Sequence, residues 1–291
     1  MARRKKSVLT VRAVSGLSGD MMLGGLAFLA GMEEGLEALT AELKLPALNG
    51  CLRLERRSVN GVEGVGCRID FGGEGAHADG HARESGEKRD HPDHAHGSDE
   101  KLDHPGHARA DGEGRAVDAG HAHRSFADIA ALIDGFAMPE AAGKLALRAF
   151  TLLAEAEAAV HGMEAAHVTF HEVGALDSIL DVCLCCRLFA LLDPDVFVCS
   201  PLPLADGTIN CAHGLLPAPA PAVLRLLEGV RVCGFSGSGE TVTPTALSLL
   251  RAMGASFGPW PEMSVNRTVI SYGTRIFPGV ANGAVWALGT V

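Results

Sequence analysis

The chemically distinctive stretch of this 291-residue sequence is 171–181, where an imidazole and three carboxylates lie close together. His171 and Glu172 precede a predicted helix that carries Asp177 and Asp181, which are four residues apart and therefore share a face. Imidazole and carboxylate groups in such a cluster suit a divalent metal ion or general acid–base chemistry. These four residues are the candidate catalytic residues. The alternative is that Asp177 caps the helix and His171 is a hydrogen-bonded loop residue.

Two turns that contain glycine and serine, each between a predicted strand and a predicted helix, form a second group of candidates. A strand–turn–helix arrangement directs backbone N–H groups and a helix dipole at an anion, so it suits a phosphate. The alternative is that the side chains of these turns only cap the helices. The candidate cofactor-binding residues are Ser15, Gly16, Ser18, Gly19 and Asp20 in the first turn and Thr243 and Thr245 in the second.

Nine of the 13 histidines lie in the segment 72–124, which has almost no apolar residues to bury. This composition predicts a segment that is disordered in isolation. Irregularly spaced neutral imidazoles cannot define one rigid site, but they can hold nickel, copper or zinc as a mobile pool of ligands. The alternative is a solubilising linker. The candidate metal ligands are His77, His81, His91, His94, His96, His104, His107, His121 and His123 in this segment, and His171 and His213 beyond it.

Composition restricts the class of protein. A net charge of -10 argues against a nucleic-acid scaffold, and no apolar run is long enough to span a membrane. The eight cysteines show neither a paired zinc-binding spacing nor the density of a secreted disulfide scaffold, which predicts reduced thiols in a cytoplasmic protein. Cys183 and Cys186 share one helix face, where we expect buried small hydrophobic residues; soft metal ligands are the alternative.

The elements that must position these residues alternate irregularly between strands and helices. This order predicts an α/β fold with a mixed sheet, flanking helices and loops gathered at one edge, interrupted by a disordered His-rich insert. The expected division is 1–71 and 125–291 for the two parts of the α/β domain, with the insert at 72–124. Predicted strands cover 7–14, 52–59, 63–71, 196–199, 230–233, 264–271 and 284–288, and predicted helices cover 21–30, 33–43, 126–136, 139–161, 220–227 and 246–253, with one more after the central stretch that ends at Leu192.

Six motifs follow one another along the chain: Ser15–Met21, His121–Ser125, His171–Asp181, Ser200–Leu204, His213–Gly214 and Pro217–Pro221. In this order they resemble the nickel insertion proteins of the nickel-pincer nucleotide pathway, over most of the chain. The resemblance implies a nickel chelatase of the lyase class that loads nickel into pyridinium bisthiocarboxylic acid mononucleotide. That step completes the cofactor of lactate racemase and uses CTP with a divalent cation, Mn or Mg.

The resemblance also implies a carboxy-terminal domain responsible for CTP binding, which we expect a separate carboxy-terminal partner polypeptide to supply. A homo-oligomer is a further expectation, whereas nucleic acid and membrane are not expected partners. The chain departs from the family pattern at Arg12, Val14, Thr169, Ala246 and 280–282.

The mechanism that the resemblance implies is delivery followed by exchange. The mobile histidines would gather Ni²⁺, while His171, Glu172, Asp177 and His213 hold it and the glycine–serine turns bind the nucleotide phosphate. Thiocarboxylate sulfurs are softer ligands than imidazole or carboxylate, so the metal should pass from protein to substrate. Because only neutral imidazole binds metal, loading should fall below a pH of about 6.5.

Two other functions remain open at this stage. One is a non-catalytic nickel or zinc storage and delivery protein, in which the insert alone binds metal. The other is a nucleotide phosphohydrolase that uses His171 and Asp177 on an unrelated substrate.

Overall fold

The computed structural model describes residues 5–44, 52–69, 124–170, 173–211 and 214–291. The predicted insert, with its nine histidines, lies outside these ranges except for its last residue, Arg124. His171, Glu172 and His213 also lie outside the described residues.

The described chain alternates between strands and helices as the sequence predicts. The strands are β1 (Ser7–Ala13), β2 (Leu52–Val59), β3 (Val62–Ile69), β4 (Arg124–Ser125), β5 (Thr169–Phe170), β6 (Val196–Cys199), β7 (Leu202–Asp206), β8 (Thr208–Cys211), β9 (Gly214–Pro217), β10 (Val232–Ser238), β11 (Ser256–Phe257), β12 (Ser264–Ser271) and β13 (Ala284–Thr290). The helices are α1 (Gly19–Leu29), α2 (Leu36–Glu42), α3 (Phe126–Gly135), α4 (Glu140–His161), α5 (Leu176–Leu192), α6 (Pro221–Leu226) and α7 (Pro244–Ala252). A short 3-10 helix covers Ala165–His167.

A seven-stranded mixed sheet forms the centre of the fold, with the strand order β11-β6-β1-β13-β12-β3-β2. β1 is parallel to β6 and antiparallel to β13, which is antiparallel to β12 in turn. β12 pairs with β3 in parallel and β6 pairs with β11 in parallel, so β1, β3, β6, β11 and β12 all run in one direction. Their carboxyl ends therefore meet at one edge, where ligand sites of such sheets form. The predicted mixed α/β fold is confirmed.

Helices cover the sheet in layers. α1 lies against β3, β12 and β13, α5 packs on α1, and α4 packs on α5, α6 and α7. Gly25 of α1 lets the ring of Trp286 pack directly on the helix, because a Cβ at this position would overlap the indole. The indole Nε1 of this fully buried tryptophan donates to Ser271 Oγ at 2.9 Å, so its only polar atom is paired inside the core.

Local signals account for several element boundaries. Asn60 and Gly61 both have positive φ, as the predicted hairpin turn between β2 and β3 requires. Ser125 caps α3 and forms a capping box with Asp128. The sequence did not predict the short strands β4, β5, β7, β8, β9 and β11. In addition, β10 continues to Ser238 instead of ending at Cys233, because pairing with β7 extends it into the expected glycine–serine loop.

Candidate functional site

The first candidate turn lies at the carboxyl edge of the sheet, between β1 and α1. β12 ends at Ser271 on the same edge, and the next loop contacts this turn, because a Cβ at Gly273 would be 3.2 Å from Ser18 Oγ. β3 also ends on this edge at Ile69, directly before the histidine-rich segment begins in the sequence. β1, β3 and β12, which are distant in sequence, thus end at the same edge of the sheet.

The two glycine–serine turns are joined to each other by their backbones. The Leu17 N–H donates to Thr241 O at 2.9 Å, and the Thr243 N–H donates back to Leu17 O at 3.1 Å. Gly16 has a φ of +143° and lies so close to the Thr241 carbonyl that any side chain would overlap it. The glycine is therefore required by the contact between the turns, and both turns belong to one rigid unit.

Gly19, Asp181 and Thr245 meet at the start of α1. A Cβ at Gly19 would be 2.9 Å from Asp181 Oδ2 and 3.2 Å from Thr245 Cγ2. These residues come from the first turns of α1 and α7 and from the second turn of α5. The fold therefore brings together three candidates that the sequence places more than 60 residues apart.

Ser18 and Asp20 form a hydrogen bond within the first turn. Ser18 is at the N-cap position of α1, but its side chain makes no capping bond; its Oγ donates instead to Asp20 Oδ1. Both residues are half-buried. The hydroxyl therefore orients the Asp20 carboxylate at the edge where the two turns meet.

Two thiols lie near the Asp20 and Asp181 carboxylates. Burial raises the pKa of the Cys67 thiol on β3, and the negative charges of Asp181 and Asp20 raise this pKa further. Burial also raises the pKa of Cys185 on α5, again with both carboxylates adding to the effect, and Cys185 Sγ is 3.8 Å from Gly19 O. Asp20 and Asp181 therefore both lie near enough to these thiols to disfavour their ionisation.

Asp177 has a different environment from Asp181, although both are on α5 as predicted. Asp177 is exposed in the first turn, where its Oδ1 accepts a hydrogen bond from the Ser178 N–H at 2.7 Å. The N-cap residue of α5 is Ala175, so Asp177 does not occupy the capping position. Its carboxylate faces solvent at the mouth of the helix, whereas Asp181 is half-buried against α1.

The two candidate threonines of the second turn also differ. Thr243 is the N-cap of α7 and its side chain accepts a hydrogen bond from the Ala246 N–H at 3.2 Å. Thr245 is only 8% exposed and contacts the start of α1. Thr243 thus has a capping role in this structure, and Thr245 lies in the contact between the two helix starts.

The carboxyl end of the histidine-rich segment is tied to the start of α5. Arg124 pairs with Phe170 in the short ladder formed by β4 and β5. The Arg124 guanidinium Nη1 donates to Gly174 O at 2.6 Å, so it bonds the turn directly before α5. In the sequence His123 precedes Arg124 and His171 follows Phe170. The segment therefore ends beside the chain that leads to the central carboxylates.

Metal-binding capacity was a central prediction from the sequence. Within the described ranges, no three His, Cys, Asp or Glu side chains are arranged to hold a metal ion together. Most of the predicted metal ligands lie outside these ranges, so the proposed ligand set stays a prediction. No described helix is long and apolar enough to cross a membrane.

Sequence reasoning missed Cys67 and Gly273, which both lie at this edge. Cys67 packs on α1, since a Cβ at Gly24 would be 3.8 Å from Cys67 Cβ. Neither residue is part of a motif, and only the pairing of β3 and β12 brings them here. Cys183, Cys185 and Cys186 are fully buried, which confirms the prediction that Cys183 and Cys186 pack as core residues.

Arg12 near the end of β1 is held by the loop after β11. Its Nη2 donates to Gly258 O at 2.9 Å, and its guanidinium lies 5.5 Å from the centre of the Trp260 ring. This stacking accommodates the arginine at the end of β1.

Comparison with known proteins identifies similar sequences. The family model described as "Nickel insertion protein" matches residues 9–288. A protein of Geotalea daltonii named "Putative nickel insertion protein" is 45% identical over 166 residues, which are 57% of this chain and 43% of that protein.

A second relative carries a more specific name. It is the "Pyridinium-3,5-bisthiocarboxylic acid mononucleotide nickel insertion protein" of Geobacillus kaustophilus, 38% identical over 162 residues, which are 56% of this chain and 39% of that protein. The chain thus matches less than half the length of these curated relatives. No solved structure matches it significantly.

Proposed function

Since the chain belongs to the nickel insertion protein family, we propose that it takes part in nickel insertion into pyridinium-3,5-bisthiocarboxylic acid mononucleotide, the compound in the name of the Geobacillus relative. Ni²⁺ is a substrate of this reaction, and the protein is a nickel chelatase of the lyase class. The product is the nickel-pincer cofactor of lactate racemase.

The convergence of Gly19, Asp181 and Thr245 is the observation that carries this proposal. This contact joins α5, which carries Asp181, to both glycine–serine turns at one edge of the sheet. A metal ion and a nucleotide phosphate need opposite charges close together, which this arrangement offers. The Asp20 and Asp181 carboxylates attract the cation, and the amino-terminal ends of α1 and α7 favour the phosphate.

Nickel reaches this edge through the histidine-rich segment. Both of its ends adjoin described parts of the site: Ile69 at the end of β3 and Arg124 beside the start of α5. Tethering at two ends keeps the imidazoles at high effective concentration near the substrate. His171, Glu172, Asp177 and His213 then hold the ion until the softer thiocarboxylate sulfurs accept it.

The nucleotide contacts come from the less buried parts of the two turns. Ser15 is 4% exposed and Gly16 is closed off by the Thr241 carbonyl, so these two residues support the turn. Ser18 is half-buried, whereas Gly19 and Thr245 are buried, so the Ser18 side chain and the backbone N–H groups at the starts of α1 and α7 meet the phosphate.

The complete reaction uses CTP with Mn or Mg. We also propose that the protein acts in the cytoplasm, where thiols stay reduced and the nucleotide is available. There it would form a homo-oligomer.

Nickel titration in the presence of the dithiolated pyridinium mononucleotide tests the proposal. The readout is the nickel–sulfur charge-transfer absorbance, with CTP and Mg²⁺ present. The unchanged 291-residue chain should produce the band, and Asp181→Asn should reduce the initial rate at which the band appears about tenfold or more, because a preorganised charge is lost. Asp193→Asn is the matched control, since it removes the same charge from the exposed C-cap position of the same helix, where asparagine also tolerates the left-handed backbone.

Deletion of 72–120 separates insertion from storage. An insertion protein should still produce the band at high nickel concentration, with a raised nickel requirement. If nickel binds only through this segment and never forms the band, storage and delivery is the function instead. Phosphate release from the nucleotide without nickel would indicate a phosphohydrolase.

A further inference from the structure

A cleft of about 490 Å³ lies away from the proposed insertion site. Arg148 on α4, Arg231 before β10 and Arg251 on α7 all line it. The cleft is at the carboxyl end of α7, whereas Thr245 meets the insertion site at the other end of this helix. A nine-residue helix is about 13 Å long, so the two places are distinct.

The arginines of this cleft have unused hydrogen-bonding capacity. Arg148 and Arg231 are exposed, and neither side chain has a hydrogen-bond or ion-pair partner among the described residues. Arg251 is half-buried, and its Nη1 donates to Leu226 O at 2.6 Å and to Glu228 O at 3.1 Å. These bonds fix one guanidinium in place and leave its Nε and Nη2 groups available.

The charge of the cleft is opposite to that of the protein. Three guanidinium groups and a single carboxylate, that of Glu228, line the cleft. The Glu228 carboxylate is already paired, because its Oε1 lies 3.8 Å from Nη1 of Arg225. The chain as a whole has a net charge of -10. Guanidinium groups are planar forks that match phosphate oxygens in a bidentate manner, and convergence of several of them is typical of phosphate recognition.

We propose that this cleft binds an oligophosphate-bearing small molecule, with Arg148, Arg231 and Arg251 on its phosphates. Val230, Ala255 and Phe257 supply an apolar wall for the remainder of the ligand. The volume falls within the range of roughly 300–1,000 Å³ that is common for small-molecule sites. The proposal does not depend on nickel insertion, because none of these residues belongs to the insertion site.

Calorimetric titration with inorganic pyrophosphate, in metal-free buffer of fixed ionic strength, tests the proposal. The unchanged chain should bind with saturation. The double variant Arg148→Gln/Arg231→Gln should raise the Kd about tenfold or more, because hydrogen bonds to charged groups are lost. Its thermal stability should stay the same, since these two side chains have no described partner to lose.

The matched control is Arg53→Gln/Arg56→Gln, which removes the same charge from exposed positions of β2, the strand at the other end of the sheet. This control should bind pyrophosphate as the unchanged chain does. An equal loss in both double variants would mean that only bulk charge matters and would overturn the proposal. Binding that survives Arg148→Gln/Arg231→Gln but is lost in Thr245→Val would place the anion at the glycine–serine turns and would overturn it equally.

Discussion

Asp181 Oδ2 lies against the backbone of Gly19, so that a Cβ at position 19 would be only 2.9 Å from it. The Asp181 carboxylate on α5 can therefore approach α1 this closely only because residue 19 is a glycine. Asp181 is also one of the three carboxylates that raise the pKa of the Cys67 thiol on β3, with Asp20 and Glu55. One carboxylate thus links a helix, the start of a second helix and a strand at the edge of the sheet.

Gly19→Ala should impair nickel insertion more than it impairs folding. The added methyl group must displace Asp181 or Thr245, and a misplacement of about 1 Å can lower a rate roughly 100-fold. The initial rate of the nickel–sulfur band measures this loss. Gly143→Ala is the control, because Gly143 is also helical and a Cβ there would have nothing within 4 Å. This variant should raise the free energy of unfolding by about 0.5–1 kcal/mol. Full insertion activity of Gly19→Ala would contradict the assigned role of Asp181.

Gly16→Ala should destabilise the protein by about 2–4 kcal/mol. The substitution forces a side chain against the Thr241 carbonyl at a φ of +143° and separates the two turns. Urea denaturation followed by the fluorescence of the tryptophans, of which Trp286 is fully buried, measures the change. Gly254→Ala, also at positive φ but with nothing within 4 Å, should cost only about 1–2 kcal/mol. Equal losses for the two variants would argue that conformation at positive φ, and not the contact between the turns, decides the effect.

Asp181→Asn should make the Cys67 thiol more reactive. Burial is the main cause of its raised pKa and stays in place, but the largest coulombic contribution disappears, so the pKa falls and the thiolate fraction rises. The rate of Cys67 alkylation by iodoacetamide at pH 8.5, read from the modified peptide by mass spectrometry, should increase. Asp177→Asn should leave this rate unchanged, because Asp177 does not contribute to the pKa of Cys67. A slower or unchanged rate in Asp181→Asn would be inconsistent with the proximity of the two groups.

Alkaline pH should reduce the free energy of unfolding. Burial raises the pKa of Cys183 and that of Cys199 to about 12, whereas unfolded thiols ionise near a pH of about 8.5. The folded state therefore keeps protons that the unfolded state loses, and stability falls as the pH rises from about 8.5 towards 12. Each such thiol contributes a slope of up to about 1.4 kcal/mol per pH unit.

Urea denaturation between pH 7 and 11, with a reductant present, measures this slope. Cys183→Ala should lose stability at pH 7 because it leaves a small cavity, but it should show a shallower decline above pH 8.5. An identical slope in the variant would mean that Cys183 does not titrate in this window on unfolding.

Local chemistry allowed much of the secondary structure to be predicted from the sequence. The Asn60–Gly61 turn, the Ser125 cap of α3 and the end of α5 at Leu192 all depend on neighbouring residues, so the sequence contains the information directly. The strand–turn–helix pattern around Ser15–Asp20 is local in the same way. The family resemblance also followed from the order of the motifs, and the family match across residues 9–288 confirms it.

Tertiary structure decided which of these residues meet. The contact of Gly19 with Asp181 and Thr245 requires α1, α5 and α7 to converge, and no pattern within one segment specifies that distance. Pairing with β7 extends β10 through residues whose local preference is a loop, because hydrogen bonds to another strand outweigh turn propensity. The arginine cleft likewise combines residues from α4, from α7 and from the segment before β10. The sequence by itself determined the elements and the chemistry that they carry, whereas long-range packing of strands and helices determined the sites, since only folding brings distant side chains within bonding distance.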